Sequence, residues 1–275
     1  GFIGEAANST GGYLAQAVPF AQPGADGMNA ASMLASPRKA YILLNVEAEL
    51  DTQNSQQAMA AMHAADLVVA LSAYKNFASD YADVLLPIAP FTETSGTFVS
   101  TEGRVQSFNG AVKPLGDARP AWKVLRVLGN LLQLQGFDFD CSEAVRDEYL
   151  AGADVGSKLG NALHGVSVQA AAAASAMQRV AEVPIYCSDA MVRRAPALQA
   201  TQDALPPSAA MHGEELSRLG LQPGELVKVS QGAGSARLPL AVDNTLPRGV
   251  LRVAAGHAMT AQLGSMFGTI SVERA

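Results

Sequence analysis

The sequence predicts an α/β domain followed by a small β-barrel, and three observations carry that prediction. Apolar runs at 39–46, 66–71 and 84–86 alternate with helical segments, the order that builds a parallel sheet. Pro206 and Pro207 then interrupt the chain, because neither can donate a backbone N–H to a helix or ladder. From Glu214 onward, short β-prone runs are separated by Gly and Pro turns, the signature of a barrel of short strands. The expected division is an α/β domain over 1–150, a linker with an alanine-rich helix over 151–205, and a barrel over 206–275.

Taken in order, residues 1–36 are rich in Gly, Ala and Asn, with Gly4, Gly11, Gly12, Gly24 and Gly27 between and around Pro19 and Pro23. Such loops let backbone approach a ligand closely, but neither G-x-G-x-x-G nor P-loop spacing occurs. The run KAYILLNV reads as a buried strand. The stretch Asp51-Thr52-Gln53-Asn54 supplies a cap for a helix over 55–65, with Ala58, Met59, Met62 and Ala65 at helical spacing. DLVVAL is the next strand, 72–81 a polar connection with helical tendency, and 84–86 the third strand. Ligands of such sheets bind beyond the carboxyl ends of the strands. Asn45, Glu47 and Ser72 stand there, as loop-closing and capping groups or as cofactor contacts.

Two β-prone runs, Thr97-Phe98-Val99 and Arg104-Val105-Gln106-Ser107-Phe108, flank Thr101-Glu102-Gly103 and read as a hairpin. Glu93, Glu102 and Arg104 lie close in sequence within an apolar stretch. They serve either as an internal ion pair or polar anchor, or as a cofactor contact. A helix opens at Ala118-Arg119-Pro120-Ala121-Trp122 with Val124, Leu125, Leu128, Leu131 and Leu132 as its buried face and Gly136 as its stop. SEAVRDEYL is a second amphipathic helix. Gly152, Gly156, Gly160 and Gly165 lead into an alanine-rich run ending at Val183. The pair Arg193-Arg194 suits a phosphate or an ion-paired surface. The strands expected in the barrel are 226–230, 236–242 and 249–254, with a hairpin loop at Gly232 and Gly234 and His257 in a following loop.

Composition removes several function classes. The chain has 275 residues, 49% hydrophobic and 16% charged, with net charge −6. That balance suits a globular chain and, with no basic patch, excludes nucleic acid. No apolar run reaches the roughly 18 residues that cross a bilayer, so direct membrane insertion is not expected. Cys141 and Cys187 are the only cysteines, fewer than the four thiolates of an iron–sulfur cluster. They read as reduced thiols. There is no G-x-S-x-G elbow and no H-E-x-x-H. Catalytic and metal-ligating residues are therefore expected to be none.

Several separated motifs together resemble the molybdopterin-oxidoreductase superfamily. They are Asp83-Val84-Leu85-Leu86-Pro87, Glu93, Gly96-Thr97-Phe98, Glu102-Gly103-Arg104-Val105-Gln106 and Ala118-Arg119-Pro120-x-Trp122. Pro37-Arg38-Lys39-Ala40-Tyr41, Asn45-Val46-Glu47 and Val192-Arg193-Arg194-Ala195-Pro196-x-Leu198-Gln199-x-Thr201 extend the likeness. Within the superfamily they are most similar to the family of large peripheral-arm subunits of bacterial NADH-quinone oxidoreductase, respiratory complex I. Ser100 stands where that pattern usually has Asn, and Ala48 where Pro is common.

The resemblance implies a Rossmann-like parallel sheet with flanking helices and a barrel of double-psi type. It implies a C-terminal fragment of a longer polypeptide whose missing N-terminal region carries iron–sulfur clusters. In that family NADH is oxidised at a flavin on another subunit and electrons pass to quinone. The chain is then a non-catalytic scaffold on the cytoplasmic face of the plasma membrane. Its partners are the other peripheral-arm subunits of complex I and its own iron–sulfur region. The implied cofactor content is none in these residues, without molybdopterin, leaving Asn45, Glu47, Ser72, Glu93 and Arg104 as vestigial candidates. The alternative is the second half of a formate-dehydrogenase-like molybdopterin oxidoreductase, with the molybdenum ligand before Gly1.

Overall fold

The computed structural model describes residues 6–17, 27–75, 78–151, 154–160, 167 and 176–275. Gly4, Pro19, Pro23, Gly24, Gly152, Gly165 and the alanines from Ala170 through Ala174 lie outside the described residues. The chain divides into two compact units. One comprises Gly1–Met33, Val69–Ser79 and Asp83–Gln169, the other Leu34–Val68, Asp80–Ala82 and Ala170–Ala275.

Helices α1 (Ser9–Leu14) and α2 (Ala30–Ala35) precede the first strand. The expected parallel α/β pattern follows. Strands β1 (Ala40–Leu44), β2 (Leu67–Ser72) and β3 (Val84–Pro87) form a sheet in that order. β2 and β3 run parallel, with Val69 opposite Val84 and Leu71 opposite Leu86. Helices α3 (Ala48–Asp51) and α4 (Ser55–Ala64) make the crossover from β1 to β2. Asn54 caps α4 as expected, its side chain accepting from the Gln57 N–H at 3.1 Å. The buried stripe of α4 is Ala58, Ala61 and Met62, with Met59 half-buried. Ser72 still belongs to β2, and the described residues from 73 to 81 form no helix despite the expected helical tendency.

The hairpin stands as the pattern predicts. β4 (Gly96–Val99) pairs antiparallel with β5 (Val105–Phe108). Phe98 and Phe108 meet edge to face at 5.2 Å. Gly103 takes φ +81° in the turn, where a side chain would be strained. Ser100 closes that turn, its hydroxyl accepting from the Arg104 N–H at 3.2 Å. Helices α5 (Ala121–Leu131) and α6 (Ser142–Leu150) follow. α5 departs from its expected packing: only Gly129 is buried, while Leu131 and Leu132 are exposed. A one-turn helix α7 (Val155–Lys158) ends this stretch.

The second half holds the barrel. Its strands are β6 (Gln178–Val180), β7 (Ala209–Met211), β8 (Leu226–Gln231), β9 (Gly234–Val242), β10 (Val250–Arg252), β11 (Phe267–Thr269) and β12 (Ser271–Arg274). They hydrogen-bond in the order β11-β6-β10-β7-β9-β8-β12. The two ends of that order, β11 and β12, are joined by Ile270 alone. One residue cannot span a flat seven-stranded sheet, so the sheet curls back on itself. Its inner face carries Met211, Val227, Val229, Leu238, Leu251 and Val253, each fully buried. Along β8 burial alternates residue by residue, the period of a strand with one face inside.

Two sequence expectations give way here. The alanine-rich helix expected to reach Val183 meets β6, which pairs parallel with β10 and antiparallel with β11. Glu214 opens no strand. It lies in α9 (Gly213–Leu219), capped by the His212 Nδ1 accepting from the Glu214 N–H at 3.1 Å and ended by Gly220 at φ +68°. A short helix α8 (Pro196–Gln199) lies between β6 and β7.

One side chain ties the barrel's loops together. Arg179 of β6 is 2% exposed, and its guanidinium donates to the Gln231 side-chain oxygen and to the carbonyls of Val253, Ala254, Gly264 and Ser265 at 3.0–3.4 Å. Burial lowers its pKa to about 10, so it stays charged at neutral pH. Arg179→Met keeps the bulk and leaves those acceptors dry, each costing about 1–3 kcal/mol. The expected result is a loss of at least ~3 kcal/mol in urea unfolding. Arg179→Lys should recover only part of it, since an ammonium cannot reach a fan of acceptors.

Candidate functional site

The candidate site grows out of the loop after β1. Asn45 takes φ +53°, a left-handed turn that Asn tolerates better than most residues. The turn brings Glu47 to the start of α3. The Asp51 carboxylate accepts from the Glu47 N–H at 2.7 Å, and the Glu47 carbonyl accepts from the Leu50 and Asp51 N–H groups. This reciprocal closure holds a four-residue helix that has little stability of its own.

Glu47 is 2% exposed. A carboxylate that deep needs partners, and it has two. Arg193 donates to its Oε2 at 2.6 Å, and Arg194 pairs with its Oε1. Arg193 also pairs with Asp51 and donates through Nε to the Cys187 carbonyl at 2.9 Å. The arginines are themselves held. Asp189 Oδ1 accepts from the N–H groups of Met191 and Val192, and the Gln199 amide donates to the carbonyls of Tyr186 and Val192. Two carboxylates thus meet two guanidiniums in a closed, neutral set.

The electrostatics follow that geometry. Burial alone would raise the Glu47 pKa, but the hydrogen bonds and charges of Arg194 and Arg193 outweigh it and hold the carboxyl below its ordinary range. Burial pulls Arg193 down, and Asp51 and Glu47 overcome it and raise it. Tyr81 borders the set. Its hydroxyl accepts from the Ala48 N–H at 3.1 Å and donates to Glu49 Oε2 at 2.9 Å. Burial and the neighbouring Glu49 charge push its pKa far up, so it stays protonated.

The loop at Gly256 touches the same region. A Cβ on Gly256 would lie 3.2 Å from the Cys187 carbonyl and 3.0 Å from Val183, and φ is +71°. His257 follows, half-buried, its Nδ1 accepting from the Met259 N–H. Burial lowers its pKa, so the imidazole is neutral at pH 7. The Cys187 thiol is buried and pushed up by that burial, with Arg193 opposing. None of these groups is an activated nucleophile or general base, and the arrangement positions chain segments.

The other candidates stand apart from this set. Ser72 is buried at the end of β2, where its hydroxyl accepts from the Tyr74 N–H at 3.0 Å and its carbonyl from the Ile88 N–H at 3.1 Å. Glu93 borders a cleft of about 540 Å³ that also takes in Ser95, Lys113, Lys123 and Ser142, and its Oε2 accepts from the Leu115 N–H at 3.0 Å. Arg104 is exposed just before β5. No ion pair joins it to Glu93 or Glu102 among the described residues, and of the alternatives for Glu93 the polar anchor to backbone is the one present. Sequence reasoning missed the roles of Asp51, Tyr81 and Cys187. Only Asp51 carried a signal, as a helix-capping residue.

Glu47→Gln removes the charge that both arginines face, and breaking a buried pair in this way costs about 3–5 kcal/mol. The pH dependence has a definite sign. Because the folded-state pKa of Glu47 is depressed, its contribution is complete above the ordinary value of 4.5 and is lost as pH falls through the depressed one. Urea midpoints measured from pH 7 down to pH 2 should fall steeply below 4.5 in the wild type and less steeply in Glu47→Gln.

Comparison with known proteins shows what parts of this chain are similar to. Residues 3–131 match the family model described as Molybdopterin oxidoreductase. A putative formate dehydrogenase of Staphylococcus aureus strain USA300 is 41% identical over 81 residues, which is 30% of this chain and 8% of that protein. Another, from strain MRSA252, is 42% identical over 73 residues, 26% of this chain and 7% of that protein. These matches thus span less than a tenth of the relatives' length. Among solved structures, acetylene hydratase from Pelobacter acetylenicus superposes with TM-score 0.60 at 17% identity. The superposition covers 98% of this chain and 51% of that one, and it speaks to fold alone.

Proposed function

We propose that this chain is part of a molybdopterin oxidoreductase of the formate-dehydrogenase kind, to which it contributes the α/β and barrel framework. The observation that carries the reading is the family match over residues 3–131, supported by the putative formate dehydrogenases that share 41% identity across 81 residues. The expectation of a scaffold without molybdopterin gives way to this reading.

No group of three or more His, Cys, Asp or Glu side chains comes together among the described residues. Nor does the arginine pair fit a pyrophosphate, because Glu47 and Asp51 already neutralise it. The phosphate contacts are therefore assigned away from this pair, and the framework's part is to hold the strand-end loop in place. Among the described residues no helix is long and apolar enough to cross a membrane.

A second reading, the large peripheral-arm polypeptide of complex I, draws support from the same closed arginine set, which suits a framework that has no phosphate to hold. Metal and pterin analysis of the native protein that contains this chain separates the two. Stoichiometric molybdenum, with pterin fluorescence after oxidation, is the expected result. Iron without molybdenum or pterin would overturn the first reading and favour the second, with complex I peripheral-arm subunits as partners.

A further inference from the structure

Asn109 is followed by Gly110, and no other asparagine of the chain precedes a glycine. Both residues are exposed and line the cleft that Glu93 borders. An asparagine side-chain carbon and the next backbone nitrogen are held close by the chain itself, so ring closure between them is effectively unimolecular. Closure is opposed by a side chain that crowds the nitrogen, by a hydrogen bond that holds the amide, and by one that holds the N–H. Gly110 has no side chain. Among the described residues, neither the Asn109 amide nor the Gly110 N–H has a hydrogen-bond partner.

The other described asparagines are restrained. The Oδ1 atoms of Asn8, Asn29, Asn54 and Asn244 accept from the N–H groups of Val99, Ser32, Gln57 and Gly213 at 2.8–3.1 Å. The Asn130 amide donates to Asp138 at 3.2 Å. Asn45 precedes the β-branched Val46, which is stiff and crowds its own nitrogen.

We propose that Asn109 is a site of spontaneous modification, where the chain converts through a cyclic imide to isoaspartate and aspartate. The Gly110 nitrogen forms a bond to Asn109 Cγ and gives up its proton. The bond from Cγ to the side-chain nitrogen breaks, and that nitrogen leaves as ammonia. Water then adds to one imide carbonyl. Opening at Cγ leaves aspartate, and opening at the backbone carbonyl leaves isoaspartate, whose main chain runs through the side-chain methylene. Nothing is oxidised or reduced, and water is the only reagent.

The loop has little room for that methylene. Before it, Phe108 pairs with Gly96, and after it the Ala111 N–H donates to the Thr92 carbonyl at 2.8 Å. A Cβ on Gly110 would lie 3.0 Å from the Glu93 carbonyl carbon and 3.1 Å from the Thr94 nitrogen, so Gly110 rests directly on that backbone. Lengthening the chain between these anchors lifts Gly110 off Glu93. Each product also adds a negative charge to a cleft that Lys113 and Lys123 line. The modification is thus a one-way change in the shape and charge of the cleft. It is independent of the reading of the chain as a molybdopterin oxidoreductase.

The test uses the native protein that contains this chain, aged in mildly alkaline buffer, with a synthetic peptide of residues 105–123 as reference. Trypsin releases that same peptide, because Lys113 and Arg119 each precede proline. Mass spectrometry should show its amide turning to acid, and L-isoaspartyl methyltransferase should label it. Conversion at Asn109 should be about tenfold or more faster than at Asn54 or Asn244, whose amides must first break a hydrogen bond. Asn109→Gln should abolish the labelling of this peptide. Aged wild type should unfold at a lower urea concentration than equally aged Asn109→Gln, and equal midpoints would overturn the change in shape. An amide that survives in the native protein while the synthetic peptide converts overturns the proposal. So does aspartate without isoaspartate, or conversion at Asn54 as fast as at Asn109.

Discussion

The structure around the candidate site depends on one buried carboxylate. Removing Glu47 from water costs several kcal/mol even after the protein relaxes, and nothing local repays it: α3 is only four residues long. The compensation comes from Arg193 and Arg194, 146 and 147 residues further along. Docking that distant segment closes a long loop, whose entropic penalty grows only slowly with length. Once docked, Arg193 also fixes the Cys187 carbonyl, against which Gly256 packs closely. Three segments, 45–51, 185–199 and 254–257, thus hold their positions because one carboxylate has to be neutralised.

Arg179 solves the converse problem by different means. It is as deeply buried as Glu47, yet only neutral oxygens surround it. Carbonyl dipoles from the loops after β10 and before β11, together with the Gln231 amide at the end of β8, replace the hydration a guanidinium loses. Arginine suits this role because its five donors point outward in a fixed plane. The barrel end therefore closes through hydrogen bonds that reach across strands, and the apolar residues of β8, β9 and β10 fill the inside.

Local pattern made much of the fold legible. β1, β2, β3, the β4–β5 hairpin, α6 and the β8–β9 pair follow from apolar periodicity and turn residues, because each is written within about ten consecutive positions. β6, β7, β11 and β12 are not written that way. Gln178-Arg179-Val180 has no apolar alternation and is a strand only because β10 and β11 flank it. The open side of α5 shows the same limit in reverse: its leucines have the spacing of a buried face, but burial depends on a partner, which periodicity does not encode. At the site, Glu47 and the Arg193-Arg194 pair were each recognisable as groups needing a partner. Their pairing was not, since nothing in the spacing joins positions so far apart. Tyr81 carried no signal at all, because its role lies in reaching the Ala48 N–H.

The closed arginine set also limits what the strand-end loop can recognise. A guanidinium attracts a phosphate by charge and by free N–H groups, and both are already used when two carboxylates grip it at hydrogen-bond distance. Bringing a phosphate to Arg193 would mean either displacing Asp51 or setting a third anion beside two others, which a half-buried site disfavours. The exposed Asn45 and the half-buried Gly256 in this region carry no charge. Charge recognition in this loop has been turned inward to hold the fold. Arg193, gripped by both Glu47 and Asp51, thus offers no free charge to an anion arriving at this loop.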